Sequence, residues 1–156
     1  MTMETKFMDM AIEASRNSVE NGGGPFGAVI VRGDNVLAVA SNSVTLRNDP
    51  TAHAEVEAIR LACATEGSFS LSGCDIYTSC EPCPMCLSAI YWAGITRIYY
   101  ANTRTDANDI GFSDDFIYNQ ISLGVDQRTI PAVAMMRDKA IKVFEMWSAK
   151  EDKTEY

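Results

Sequence analysis

The chain has 156 residues, 47% of them hydrophobic and 22% charged, with 13 Lys and Arg against 21 Asp and Glu for a formal net charge of −8. One ordinary domain accommodates this length, and the composition excludes collagen, coiled coil and a disordered chain. The acidity argues against nonspecific binding to nucleic acid or anionic membrane, which needs clustered Lys and Arg, and no apolar run reaches the ~20 residues that span a bilayer.

Residues 4–20 place Phe7, Met10, Ile12, Ala14 and Val19 among charged positions and predict an amphipathic helix that Asn21-Gly22 stops. Glu4, Asp9 and Glu13 in the same stretch do not fit a secretory leader. The runs Phe26–Val31 and Val36–Ala40 flank Gly33-Asp34-Asn35 and predict a β-hairpin. Pro50-Thr51 opens a second predicted helix that runs to about Gly67, and Asp75–Thr78 is a buried strand. A helix from Met85 to Ala93 with Gly94 at its end and a strand at Thr96–Ala101 come next. Strands alternating with helices imply a layered α/β domain with parallel later strands. Residues 102–130 are rich in Asp and Asn and give no clear periodicity. Pro131–Met136 is expected as a fifth strand and Ile141–Lys150 as a closing helix.

Five cysteines, Cys63, Cys74, Cys80, Cys83 and Cys86, are an odd number and a poor disulfide framework. They point to a reducing cytoplasm, where closely spaced cysteines are a metal or redox site. Cys63 and Cys74 are expected as small buried hydrophobes. Cys83 and Cys86 lie three apart at a helix start, which puts both sulfurs on one face. With His53, the chain's only histidine, they make three ligands suited to zinc with one position open, as in a catalytic site. Glu55 lies two residues beyond His53, off its helix face, so both serve one site only if the metal sits at the helix end. A free carboxylate there is placed to act as general acid and base. Two other uses of these residues stay open: a closed structural zinc site with Cys80 as fourth ligand, and a Cys-x-x-Cys redox pair.

His-x-Glu followed by Pro-Cys-x-x-Cys resembles the zinc-dependent nucleobase deaminases. Beyond this motif, the whole chain resembles the bacterial guanine deaminases of the cytidine/deoxycytidylate deaminase superfamily. The resemblance runs through Gly23–Ala28, Asn48–Glu55, Tyr77–Cys86, Ile90–Ala93, Gly111–Tyr118 and the terminal Glu155-Tyr156. It implies a three-layer α/β/α sandwich around a mixed five-stranded sheet, a single zinc-dependent domain over residues 1–156. It implies one Zn²⁺ per subunit with a bound water or hydroxide, held by His53, Cys83 and Cys86, with Glu55 as the proton shuttle. It also implies a base site formed by Phe26, Asn42, Ala54, Trp92 and Asp114, the last assisting catalysis. The segment of about 140–156 is implied to cross to a second copy in a domain-swapped homodimer, so that Tyr156 closes the partner's site.

Each substrate residue also has an ordinary structural use. Phe26 and Trp92 suit core packing, Asn42 beside Ser41 and Ser43 suits a turn, and Asp114 next to Asp115 suits a solvated loop. The tail suits a frayed end. The expected function is hydrolysis of guanine, a small purine base, to xanthine and ammonia, with no nucleic acid or membrane as partner. The alternatives are deamination of guanosine, cytosine or tRNA adenosine, and a structural zinc module.

Overall fold

The computed structural model of the chain describes all 156 residues. Residues Met1–Asp115 and Phe116–Tyr156 form two compact units. In the first, helix α1 (Met3–Glu20) is capped by the Thr2 hydroxyl, which accepts the Thr5 N–H at 3.2 Å. Its buried residues Phe7, Ala11, Ala14 and Ser18 recur at helical spacing and form one stripe.

The predicted hairpin forms from β1 (Gly27–Arg32) and β2 (Asn35–Ser41). Gly33 at φ +57° supplies the left-handed backbone that its two-residue turn requires. With β3 (Asp75–Cys80) and β4 (Arg97–Asn102) the sheet order is β2-β1-β3-β4. β1 is antiparallel to both β2 and β3, whereas β3 and β4 are parallel, as expected of the later strands. Helix α4 (Pro84–Ala93) makes the connection between that parallel pair.

The central strand β1 is apolar from Gly27 to Val31 because both its faces are covered there, and only its last residue, Arg32, is exposed. Ala28 and Ile30 pack with Leu37, Ile76, Ile90 and the small residues Ala54, Ala58 and Ala62 of helix α3 (Ala54–Glu66). Val29 and Val31 point the other way, onto Phe7 and Ala11 of α1 and onto Tyr77. This first unit is therefore the expected three-layer α/β/α arrangement. Gly27 lies where α1 crosses the sheet, and a Cβ there would meet the Ala11 carbonyl oxygen at 2.1 Å.

Three expectations need correction. The sheet has four strands, not five: Pro131–Met136 is exposed and forms no strand. Pro131 brings no N–H to a ladder, and the segment lacks the polar alternation of a half-buried strand. The second helix starts at Ala54, not at Pro50, because Asp49 draws Thr51 into a tight turn before it. A one-turn helix α2 (Val44–Arg47) precedes that turn and left no sequence signal. The stretch without clear periodicity contains α5 (Arg104–Asp109), α6 (Asp114–Ser122) and a 3₁₀ turn at Val125–Gln127. α5 is fixed by a capping box between Thr103 and Asp106, a pattern legible as Thr-x-x-Asp. In the second unit, α7 (Arg137–Ala149) begins earlier than the Ile141 expected. No helix is long and apolar enough to cross a membrane.

Candidate active site

Cys80 ends β3, and the chain turns through Glu81-Pro82 into α4, whose N-cap is Cys83. Pro84 fills the first helical position, where its fixed φ fits and its missing N–H costs nothing. The Cys83 sulfur accepts the Cys86 N–H at 3.5 Å, which fixes both thiols on the opening turn. His53 is the N-cap of α3, but its ring makes no cap hydrogen bond to that helix and turns to the cysteines. Its Nδ1 lies 3.5 Å from the Cys83 Sγ and 3.5 Å from the Cys86 Sγ.

These three ligand atoms all fall within 4.8 Å of one another. Tetrahedral zinc with bonds of about 2.3 Å to sulfur and 2.0–2.1 Å to nitrogen sets its S and N ligands about 3.5 Å apart. Donor set and spacing therefore both fit zinc. Two thiolates would neutralise the charge of a bound zinc, and the N-termini of α3 and α4 would add positive potential there. Cys80 stands apart, its thiol directed to the Thr103 carbonyl at 3.6 Å, so the closed four-ligand site is not assembled. Cys74 is buried in the core with half-buried Cys63 packed against it, as expected of small hydrophobes.

Sharing of one proton separates the two thiols. Cys83 is lowered to about 4, chiefly by the hydrogen bond from Cys86 and further by His53. Cys86 is raised by the same shared bond and by burial. His53 is raised, mainly by its hydrogen bond to Cys83. Glu55, the second residue of α3, is only 7% exposed. Burial pushes its carboxyl up to about 7, against the opposing pull of its own backbone N–H and of the Cys86 thiol. A carboxyl at that value takes and returns protons near neutrality.

A cavity of about 210 Å³ opens over this cluster. Its lining brings together Phe26, Asn42, His53, Glu55, Cys83 and Asp114, which lie far apart in sequence. Phe26 packs edge-on against Phe112 with ring centroids 4.8 Å apart. Asn42 is 6% exposed, and its Oδ1 accepts the Val44 N–H at 3.2 Å. The carboxyl of half-buried Asp114 is raised by burial and by nearby Cys83. Cys86 and Ala54 are fully buried and do not line the cavity. Trp92 lies on α4 at 73% exposure and does not line it either, while Tyr156 is 83% exposed in the second unit. Sequence reasoning missed Gly24, Val44, Thr45, Glu81 and Phe112 as lining residues. Gly24, inside the Gly23–Ala28 stretch, Glu81, inside the cysteine motif, and Phe112, inside a stretch rich in Asp and Asn, offered a signal.

Residues 1–102 match the family described as the cytidine and deoxycytidylate deaminase zinc-binding region. The chain belongs to that family. All of the candidate metal cluster lies inside the residues matched to this zinc-binding deaminase domain. Guanine deaminase of Bacillus subtilis is 47% identical over 157 residues, covering 100% of both chains. Its X-ray structure superposes with a TM-score of 0.95 over 100% of this chain and 99% of that one. The tRNA-specific adenosine deaminase of Agrobacterium fabrum is 43% identical, over 64% of this chain and 66% of its own length.

Proposed function

We propose that this protein hydrolyses free guanine to xanthine and ammonia. The observation that carries the proposal is the reach of the similarity. The likeness to the Bacillus subtilis enzyme runs through residues 103–156, beyond the family's zinc-binding region, whereas the tRNA-specific relative matches 64% of the chain. The cavity agrees in scale: at about 210 Å³ it is smaller than the roughly 300–1,000 Å³ of sites for drug-sized ligands and suits a bare base. The net charge of −8 favours a neutral base over a polyanionic tRNA.

His53, Cys83 and Cys86 would hold the zinc. When bound, it supplies Lewis acidity that brings the pKa of water to about 7. The chain's own residues supply the rest. Phe26 and Phe112 form an apolar wall for the flat purine. Because the Val44 N–H occupies Oδ1 of Asn42, the amide Nδ2 remains to donate to a ring carbonyl or nitrogen. Water adds its oxygen to C2, and Glu55 carries one of its protons to N3. The C2–N bond then breaks with its electron pair on nitrogen. The second proton reaches the departing amine through Glu55, with Asp114 accepting hydrogen bonds from that amino group. The two protons of water thus end on N3 and on ammonia.

The proposal extends to assembly and place. Residues of about 140–156 cross to a second copy in a homodimer, and Tyr156 of each copy closes the other's site. Exposed Val143, Phe144 and Met146 in the second unit give that segment apolar anchors. The five unpaired cysteines suit the reducing cytoplasm, where the reaction serves purine breakdown or salvage. Ammonia release from guanine, guanosine, cytosine, adenine and a tRNA anticodon loop by zinc-loaded protein tests the substrate. Turnover of guanine is expected; an enzyme that leaves guanine intact but deaminates another member of the panel overturns the proposal.

A further inference from the structure

The turn that delivers His53, residues 48–52, lies outside the cavity lining. Helix α3 does not hold this ligand by a side-chain cap, so its backbone must be fixed from upstream. Residues 48–53 form a run of tight turns that begins at Asn48, which adopts the left-handed φ of +53°. Asp49 Oδ1 accepts the Thr51 N–H at 2.8 Å and the Thr51 hydroxyl at 2.6 Å. The Asp49 carbonyl accepts the Ala52 N–H at 3.1 Å, and the Thr51 carbonyl accepts the His53 N–H at 2.8 Å. Fully buried Ala52 anchors the far side by accepting the Ser43 N–H at 2.9 Å. Asp49 is therefore the one side chain that fixes the peptide on which the His53 backbone hangs.

We propose that Asp49 is a positioning residue of the metal centre, acting through Thr51 to preorganise the His53 ring over the cysteine pair. The role concerns the zinc ligands alone and holds for any heterocycle the site takes. Preorganisation matters here because a ligand left free to move must be ordered when the metal binds, and outer partners of metal ligands commonly contribute at this level. Its action runs through the two hydrogen bonds to Thr51. The Asp49–Arg60 ion pair, at 3.7 Å with Arg60 half exposed, lies on the surface and contributes little.

Zinc affinity measured by competition against a chromogenic chelator tests this, together with the thermal midpoint of the metal-free protein. Asp49→Ala is expected to weaken zinc binding about tenfold or more, in the range found for outer-shell partners. Asp49→Asn keeps an oxygen at the same place and is expected to restore parent-like affinity, although it loses the ion pair. The visible spectrum of the cobalt-substituted protein is expected to change in the Ala variant and not in the Asn variant. Parent-like zinc affinity in a folded Asp49→Ala protein overturns the proposal, as does an equal loss in both variants. Should the Ala variant fail to fold, Thr51→Val decides: weaker binding supports the role, and unchanged binding removes it.

Discussion

At the scale of single residues, the proposed chemistry turns on Glu55. A carboxyl that burial raises from an ordinary 4.5 to about 7 is a poor structural element, because its charged form is unfavourable where it sits. It is a good proton carrier for the same reason. Glu55→Gln preserves shape and leaves His53, Cys83 and Cys86 in place. The expected result is a turnover loss of about 10²–10⁴-fold, typical of a general acid/base, with zinc content unchanged by elemental analysis. The proposed reaction uses Glu55 first as a base, so its carboxylate is the competent form. Guanine turnover in the parent is therefore expected to fall as pH drops below about 7. A rate that stays flat from about pH 8 to pH 5 rejects that order of proton transfers.

At the scale of elements, two helix starts and one crossing carry the architecture. α3 and α4 bring His53 and Cys83 together as N-caps, so the site depends on how both helices seat on the sheet. α1 seats on the opposite face only because Gly27 has no side chain. A Cβ there would lie 2.1 Å from the Ala11 oxygen, 2.7 Å from the Ser15 nitrogen and 2.9 Å from the Ala14 Cβ. Gly27→Ala must push α1 off the sheet, with an expected loss of about 1–3 kcal/mol or more in urea unfolding. At α5, the Asp106 carboxyl is held below its ordinary 3.8 by hydrogen bonds from the Thr103 N–H and hydroxyl. An acid depressed in the folded state contributes stability that is complete above 3.8 and lost as pH falls through its folded value. Asp106→Asn is expected to remove part of the acid-side decline of the urea midpoint, measured between about pH 5 and pH 2.

At the scale of the molecule, the chain divides into a three-layer unit that contains the whole metal cluster and a second unit of residues 116–156. The proposed exchange of the tail makes each active site a product of two chains. Equal amounts of Glu55→Gln protein and protein lacking Tyr156, each impaired alone, are expected to recover activity when unfolded and refolded together. Random pairing of two chain types leaves about a quarter of all sites intact under a two-fold exchange. Recovery that stays at the level of the separate variants rejects the exchange, and unimpaired turnover without Tyr156 removes that residue from the site.

What the sequence determined by itself is local chemistry. Spacing alone put Cys83 and Cys86 on one helix face, paired them with the only histidine and required the metal to lie at a helix end, where His53 sits as N-cap. Apolar alternation and turn residues likewise located α1, the hairpin, β3, α4 and β4, because those signals act between near neighbours in the chain. Residues 102–130 and Pro131–Met136 stayed illegible or were misread. Short capped helices carry little periodicity, and a strand exists only where another strand accepts it. Tertiary structure alone decided that Phe26, Asn42 and Asp114 line one cavity while Trp92 does not, and that Cys80 turns to Thr103, away from the candidate metal cluster of His53, Cys83 and Cys86. It also decided the proton affinity of Glu55, since a carboxyl shifts with the burial around it, and burial is a property of the packed fold.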